Sequence, residues 1–189
     1  MRKIIASLHI TLDGFLAGPN GEMDWIKLDD EMFDLVGQLT SEADTALYGR
    51  VTYDMMKAYW PTAADGPNAT KHDIEHSDWY NSVRKIVLSR SMDGLETDNT
   101  RFIGTNVPEE IEQLKNGPGK NIIIFGSPSA LHSLMELNLI DDYWLFINPV
   151  LLGAGIPLFK NILNKIDLQL LTTQIFPCGV IALNYTVVR

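Results

Sequence analysis

Apolar residues in this chain come in short runs divided by glycine-, proline- and aspartate-rich breaks, and the runs differ in period. Residues 3–10 form one apolar run, which predicts a buried strand ended by Asp13-Gly14. Beyond the loop Gly18-Pro19-Asn20-Gly21 the period changes. Met32, Leu35, Val36 and Leu39 recur at i, i+3, i+4 and i+7, predicting a helix from Asp29 with Asp29, Asp30 and Glu31 at its positive end. Residues 45–48 predict a strand that closes at Gly49. The following helix puts Thr52, Met55, Met56 and Tyr59 on one face, and Trp60-Pro61 stops it. Residues 71–81 read as helical, 85–89 as a strand and 101–104 as a weaker strand. Residues 108–115 form a short helix with a proline and two glutamates in its first turn.

Asn121–Phe125 predicts another buried strand, from which Gly126-Ser127-Pro128-Ser129 turns into a helix. That helix begins at Ser127, and its apolar face is Leu131, Leu134, Met135 and Asn138 or Leu139. Asp142–Asn148 is a strand, Leu152-Gly153-Ala154-Gly155 a loop, and residues 168–176 and 180–188 a hairpin about Pro177-Cys178-Gly179. Strands alternating with helices and closed by a hairpin predict an α/β fold. Its sheet is mixed and mostly parallel, with helices on both faces and an antiparallel edge. No internal repeat or linker interrupts the pattern, so the 189 residues are expected to form a single domain.

Composition narrows the function. A formal net charge of −9 argues against a general nucleic-acid binder and against docking on anionic membranes. Local cations and helix termini still permit a phosphorylated ligand. The single cysteine, Cys178, excludes a disulfide framework and a cysteine-rich zinc site, and its turn context marks it as structural. No run approaches a membrane span and no leader pattern opens the chain, so a cytoplasmic protein is expected.

Three segments carry candidate chemistry. Tyr48-Gly49-Arg50-Val51-Thr52 and Phe125-Gly126-Ser127-Pro128-Ser129-Ala130 each join a strand to a helix through a glycine. Such a junction points free backbone N–H groups and a partial positive charge at an anion. Either one alone is also what an ordinary turn and helix cap look like. Leu88-Ser89-Arg90-Ser91 adds two hydroxyls and a guanidinium, the donors that suit a phosphate monoester such as the 2′-phosphate of NADP. The P-loop pattern is absent, and Gly153-Ala154-Gly155-Ile156-Pro157-Leu158 lacks the third glycine of a Rossmann fingerprint. No G-x-S-x-G elbow is present. His72 and His76 lie four apart without a third imidazole, so no metal site is expected. His132 reads as a surface residue and His9 as a core histidine. Asp30 lies between a glycine-rich loop and a helix, where burial would suit it to deliver a proton.

In this order the segments resemble the dihydrofolate reductase-like fold, and most closely the reductase domain found at the C-terminus of the bacterial bifunctional deaminase–reductase of riboflavin biosynthesis. The carriers are Thr11-Leu12-Asp13-Gly14-Phe15-Leu16-Ala17-Gly18, Asp24-Trp25, Tyr48-Gly49-Arg50-Val51-Thr52-Tyr53, Lys85-Ile86-Val87-Leu88-Ser89, Gly126-Ser127, Leu139-Ile140-Asp141-Asp142, and the stretch Pro149-Val150-Leu151-Leu152-Gly153-Ala154-Gly155-Ile156-Pro157-Leu158-Phe159. The resemblance implies a three-layer α/β/α fold, NADP(H) as cofactor and a homodimer. It assigns phosphates to Gly49, Arg50, Val51 and Thr52, and the adenosine 2′-phosphate to Leu88, Ser89 and Arg90. The diphosphate falls to Gly126, Ser127, Pro128, Ser129, Ala130 and Leu131, and the nicotinamide to Leu16 and Ala17. Trp25 and Asp30 have the spacing of the tryptophan and catalytic acid of dihydrofolate reductases. The zinc deaminase half, with its H-x-E and P-C-x-x-C, is absent. The implied substrate is 5-amino-6-(5-phosphoribosylamino)uracil, with a pterin or a non-catalytic NADP-binding role as alternatives.

Overall fold

The computed structural model describes residues 1–97, 99–160 and 162–189. In chain order its elements begin with β1 (Ile4–Thr11), β2 (Phe15–Ala17), α1 (Asp30–Ser41), β3 (Ala43–Gly49) and α2 (Arg50–Tyr59). A 3₁₀ turn at Trp60–Asp65 leads to α3 (Lys71–Ser82), β4 (Arg84–Leu88), β5 (Glu96–Thr97), β6 (Thr100–Ile103) and α4 (Val107–Asn116). The chain continues through β7 (Asn121–Phe125), α5 (Pro128–Glu136), β8 (Asp142–Asn148), β9 (Ile156–Pro157), β10 (Leu168–Ile175) and β11 (Ile181–Val187). Two compact units divide it: Met1–Arg2 with Asp30–Ile123, and Lys3–Asp29 with Ile124–Arg189.

In the first unit β3, β4 and β6 pair in parallel, β5 adds to β6 antiparallel, and the order is β3-β4-β6-β5. Ala46, Leu47, Ile86 and Val87 have no exposed surface, as expected of parallel strands covered on both faces. Helix α1 buries Met32, Leu35 and Leu39, the stripe its period marks out. Thr70 and Asp73 close a reciprocal capping box at the start of α3. The buried Arg2 guanidinium joins the unit by donating to Asp44, to Thr45 Oγ1 at 2.6 Å and to the Lys120 carbonyl at 2.6 Å.

In the second unit β1 and β8 pair in parallel, while β11 and then β10 follow antiparallel in the order β10-β11-β8-β1. The hairpin predicted from the sequence is therefore present. Strand β8 is flanked by β1 and β11, so both its hydrogen-bonding edges are used. Three strands escaped the sequence pattern because they are only two or three residues long, too short to show a period: β2, β5 and β9. Helix α5 stops at Glu136, not at 138 or 139, and Asn138 beyond it adopts φ 52°, a left-handed residue that cannot extend the helix. No helix among the described residues is long and apolar enough to cross a membrane.

Candidate functional site

The residues expected to hold a dinucleotide fall into two groups, one on each unit. In the Asp30–Ile123 unit, Gly49 ends β3 with ordinary extended angles (φ −81°, ψ 160°) and α2 follows at once. Thr52 is buried in its first turn, while Arg50 and Val51 face solvent, Val51 at 84% exposure. A valine so exposed at a helix start covers nothing in the protein itself. The Arg50 guanidinium donates to Ser91 Oγ at 3.0 Å, and Ser91 Oγ lies 3.4 Å from Ser89 Oγ. Arg50 Nε also sits 3.6 Å from Asp54 Oδ2, four residues along the helix. Arg50, Ser89 and Ser91 thus form a cluster of donors, with half-buried Leu88 at the end of β4 beside them in sequence. Arg90 is exposed in the 3₁₀ turn Arg90–Met92. The sequence had put Ser91 in the right segment, but not against Arg50, 41 positions away.

In the Lys3–Asp29 and Ile124–Arg189 unit, Gly126 (φ 54°) and Ser127 (φ 56°) are successive left-handed residues. Only then does α5 start, at Pro128, so Ser127 is its N-cap and not its first residue. A Cβ on Gly126 would meet nothing within 4 Å, so open space lies over the turn. Leu131 N donates to the Ser127 carbonyl at 2.9 Å and closes the first turn. The N–H groups of Ser129 and Ala130 precede that closure and have no partner within the helix. Leu16 and Ala17 lie on β2, each 5% exposed, and β2 pairs antiparallel with β9.

The α-helices differ at their N-termini. Helices α1, α3 and α4 carry acidic residues in the first turn, and α3 adds its capping box. Helices α2 and α5 have no acidic first-turn residue and no side-chain cap hydrogen bond. In a chain of net charge −9, these are the two α-helix starts left electropositive. They are also the two junctions singled out in the sequence.

A loop frame supports β2. Asp13 accepts from Thr11 Oγ1 at 2.6 Å, from Gly153 N at 2.7 Å and from Leu152 N at 3.1 Å. The bond from Thr11 is the first cause that holds its carboxyl below the usual carboxylate range, and the Gly153 N–H adds to it. Nearby, the wholly buried Asn148 accepts from Lys27 N at 2.8 Å and donates to the Phe146 carbonyl at 3.0 Å. It fixes the loop that carries Trp25, which is half-buried and donates its indole N–H to the Glu22 carbonyl at 3.1 Å. His9 stacks on Phe146 with ring centres 5.0 Å apart, and burial lowers its pKa to about 4, so the imidazole is neutral at ordinary pH. Asp30, in the other unit, is the first residue of α1 and is exposed, so the burial anticipated for it does not act in the chain by itself.

His132 departs from expectation. It is buried in α5, not on the surface, with Nε2 3.0 Å from both the Pro157 and the Leu158 carbonyl oxygens. His72 stacks on Phe33 at 3.9 Å, and His76 packs on Trp60 at 4.1 Å. Among the described residues no group of three or more His, Cys, Asp or Glu is placed to hold a metal ion. Cys178 is half-buried in the turn of the β10–β11 hairpin, and its backbone N–H donates to Asp29 Oδ2 at 3.1 Å.

The strand and helix order, the parallel centre of each unit and the terminal antiparallel pair define an α/β protein of the dihydrofolate reductase-like fold. The chain belongs to the RibD C-terminal domain family, which matches residues 2–182. It is 39% identical over 189 residues to the uncharacterized protein YyaP of Bacillus subtilis (strain 168), a match that covers 97% of this chain and 94% of YyaP. Its fold is similar to a pyrimidine reductase-like protein of Corynebacterium diphtheriae, at TM-score 0.69 and 19% identity, covering 100% of this chain and 92% of that one. It is likewise similar to Enterococcus faecalis dihydrofolate reductase complexed with NADP(H) and RAB-propyl, at TM-score 0.63 and 15% identity, covering 98% and 96%.

Proposed function

We propose that this protein is an NADPH-dependent reductase of a ribosylaminopyrimidine, with 5-amino-6-(5-phosphoribosylamino)uracil as the substrate named by the family. The observation that supports the cofactor is that each unit carries one helix start, α2 in the first and α5 in the second, with no acidic first-turn residue, and that the Arg50, Ser89 and Ser91 donors lie at the first of them. Open space over the left-handed Gly126 lets a ligand approach the backbone there. In this reading Gly49, Arg50, Val51 and Thr52 bind phosphate, and Arg50 with Ser89, Ser91 and Arg90 recognises the 2′-phosphate. Gly126, Ser127, Pro128, Ser129, Ala130 and Leu131 take the diphosphate. Leu16 and Ala17 offer the nicotinamide a buried apolar strand.

When bound, the reduced nicotinamide supplies a hydride for a C=N or ring-opened sugar carbon. The chain's own task is to hold that carbon in line and to exclude water from it. A carboxyl oxygen of Asp30, directly or through a water, delivers the proton, and Trp25 borders the substrate. We read residues 1–189 as one reductase domain acting on a small molecule, working in the cytoplasm as a homodimer.

Quenching of tryptophan emission during titration with NADPH and with NADH tests the cofactor. NADPH is expected to bind at least about tenfold more tightly, and Arg50→Ala to remove most of that preference. Equal affinity for the two, or no saturable binding of either, overturns the cofactor reading. Optical measurement of NADPH oxidation with the uracil substrate and with dihydrofolate then separates the substrate classes. Tight NADPH binding with neither substrate turned over favours the non-catalytic alternative.

A further inference from the structure

The proposed diphosphate and nicotinamide contacts in the second unit lie on elements distant in sequence, α5 and β2. His132 ties α5 to β9, and β9 pairs with β2. His132 is the residue after Leu131 in α5, 5% exposed, and its Nε2 lies 3.0 Å from two backbone carbonyl oxygens, those of Pro157 and Leu158. Two oxygens can only accept, so Nε2 must carry the hydrogen and share it between them. The other neutral tautomer would turn a nitrogen lone pair toward both oxygens.

Those carbonyls belong to β9 and the residue after it. Strand β9 is two residues long, and Pro157 has no N–H to give to a ladder. Its partner is β2, with Phe15 opposite Pro157 and Ala17 opposite Ile156. Leu158 N donates to the Gly14 carbonyl at 2.9 Å and continues the same seam. A Cβ on Gly155 would run into the Ala17 carbonyl oxygen and the Phe15 ring, so backbone packs directly on backbone there. The line of contact runs from α5 through the imidazole to β9 and on to Leu16 and Ala17.

We infer that His132 is a positioning residue that sets the spacing between the phosphate-binding start of α5 and the nicotinamide-facing strand β2. The inference rests on the NADP(H) reading above. It concerns the registration of the two ends of a dinucleotide and assigns His132 no contact with the cofactor.

The test compares the binding of two probes, NADPH and adenosine 2′,5′-bisphosphate, to wild type, His132→Leu and His132→Gln. The bisphosphate carries the 2′-phosphate and one phosphate of the diphosphate but no nicotinamide, so it needs no registration with β2 and serves as a check that each variant is folded. His132→Leu should weaken NADPH by about tenfold or more, since the half-buried Pro157 and buried Leu158 carbonyls lose their donor. The same variant should hold the bisphosphate within about twofold of wild type. His132→Gln, whose amide restores an N–H at similar reach, should recover most of the NADPH affinity. Should His132→Leu not fold, His132→Asn, with an amide too short to reach both carbonyls, carries the same expectation. Unchanged NADPH affinity in these variants, or no recovery by glutamine, overturns the positioning role. Failure of wild type to bind either probe overturns the cofactor reading instead, and the two failures are told apart by the wild-type titration.

Discussion

A histidine that gives up its water on folding makes stability depend on pH. Burial lowers His76 to about 3 and His9 to about 4, against an ordinary value of 6.5. For His76 the neighbouring His72, itself lowered by burial, adds to the effect. Above pH 6.5 the folded and unfolded chains both hold these rings neutral, and stability is at its full level from this source. Below 6.5 the unfolded chain takes up protons that the folded chain refuses, until the pH reaches the folded values. Stability therefore falls with pH across that window, by up to about 1.4 kcal/mol per pH unit for each ring. Urea unfolding at pH 7 and pH 5 is expected to show the loss. His76→Phe, which keeps an aromatic ring against Trp60, should narrow the difference by up to about 2 kcal/mol. An unchanged difference would contradict the assignment. Position in the pattern put His9 in the first strand, where it is half-buried against Phe146, but misplaced His132. The reason is that a single imidazole in a helix looks the same in sequence whether water or two carbonyls of β9 lie beyond it.

Among the elements, the shortest ones do the most local positioning. Helices α1, α2 and α5 and strands β7 and β8 were legible because each spans enough residues for a period to show. Strands β2 and β9 span three and two residues, and only their mutual pairing makes them strands. Their contact depends on Gly155, the point where the backbones meet. Replacing Gly155 with alanine should cost about 1–3 kcal/mol through overpacking and weaken NADPH more than adenosine 2′,5′-bisphosphate. Thermal melts with the two titrations check this, and a variant matching wild type in both would show that the seam yields freely. The electropositive character of the α2 and α5 starts lies in which residues are absent from their first turns, and that is a property of local sequence.

At the scale of the whole molecule, the long terminal strand of the sheet is β10. All eight of its residues are exposed or half-buried, and Leu168, Leu170, Leu171 and Ile175 are apolar and exposed. None of its residues is charged or a proline, the features that usually protect an edge. A homodimer formed here would cover that edge, whereas β8 has no edge left to offer. Light scattering on the eluting protein is expected to give twice the chain mass, and Leu171→Lys to give the single-chain mass with an unchanged melting profile. A wild-type monomer would exclude the dimer, and a lysine variant that stays dimeric would move the interface elsewhere.

The sequence by itself determined the order of the longer strands and helices, the family, the two electropositive helix starts and the segment that supplies Ser89 and Ser91. Each of these is written in periodicity, in turn chemistry or in the residues of one helical turn. Only the tertiary structure decided that Arg50 meets Ser91, that Asp13 gathers the N–H groups of Leu152 and Gly153, and that His132 holds β9. Those partners lie 41, about 140 and 25 positions apart. Periodicity says which side of an element faces inward. It does not say which other element arrives there, because strand pairing and helix packing settle that choice together over the folded chain.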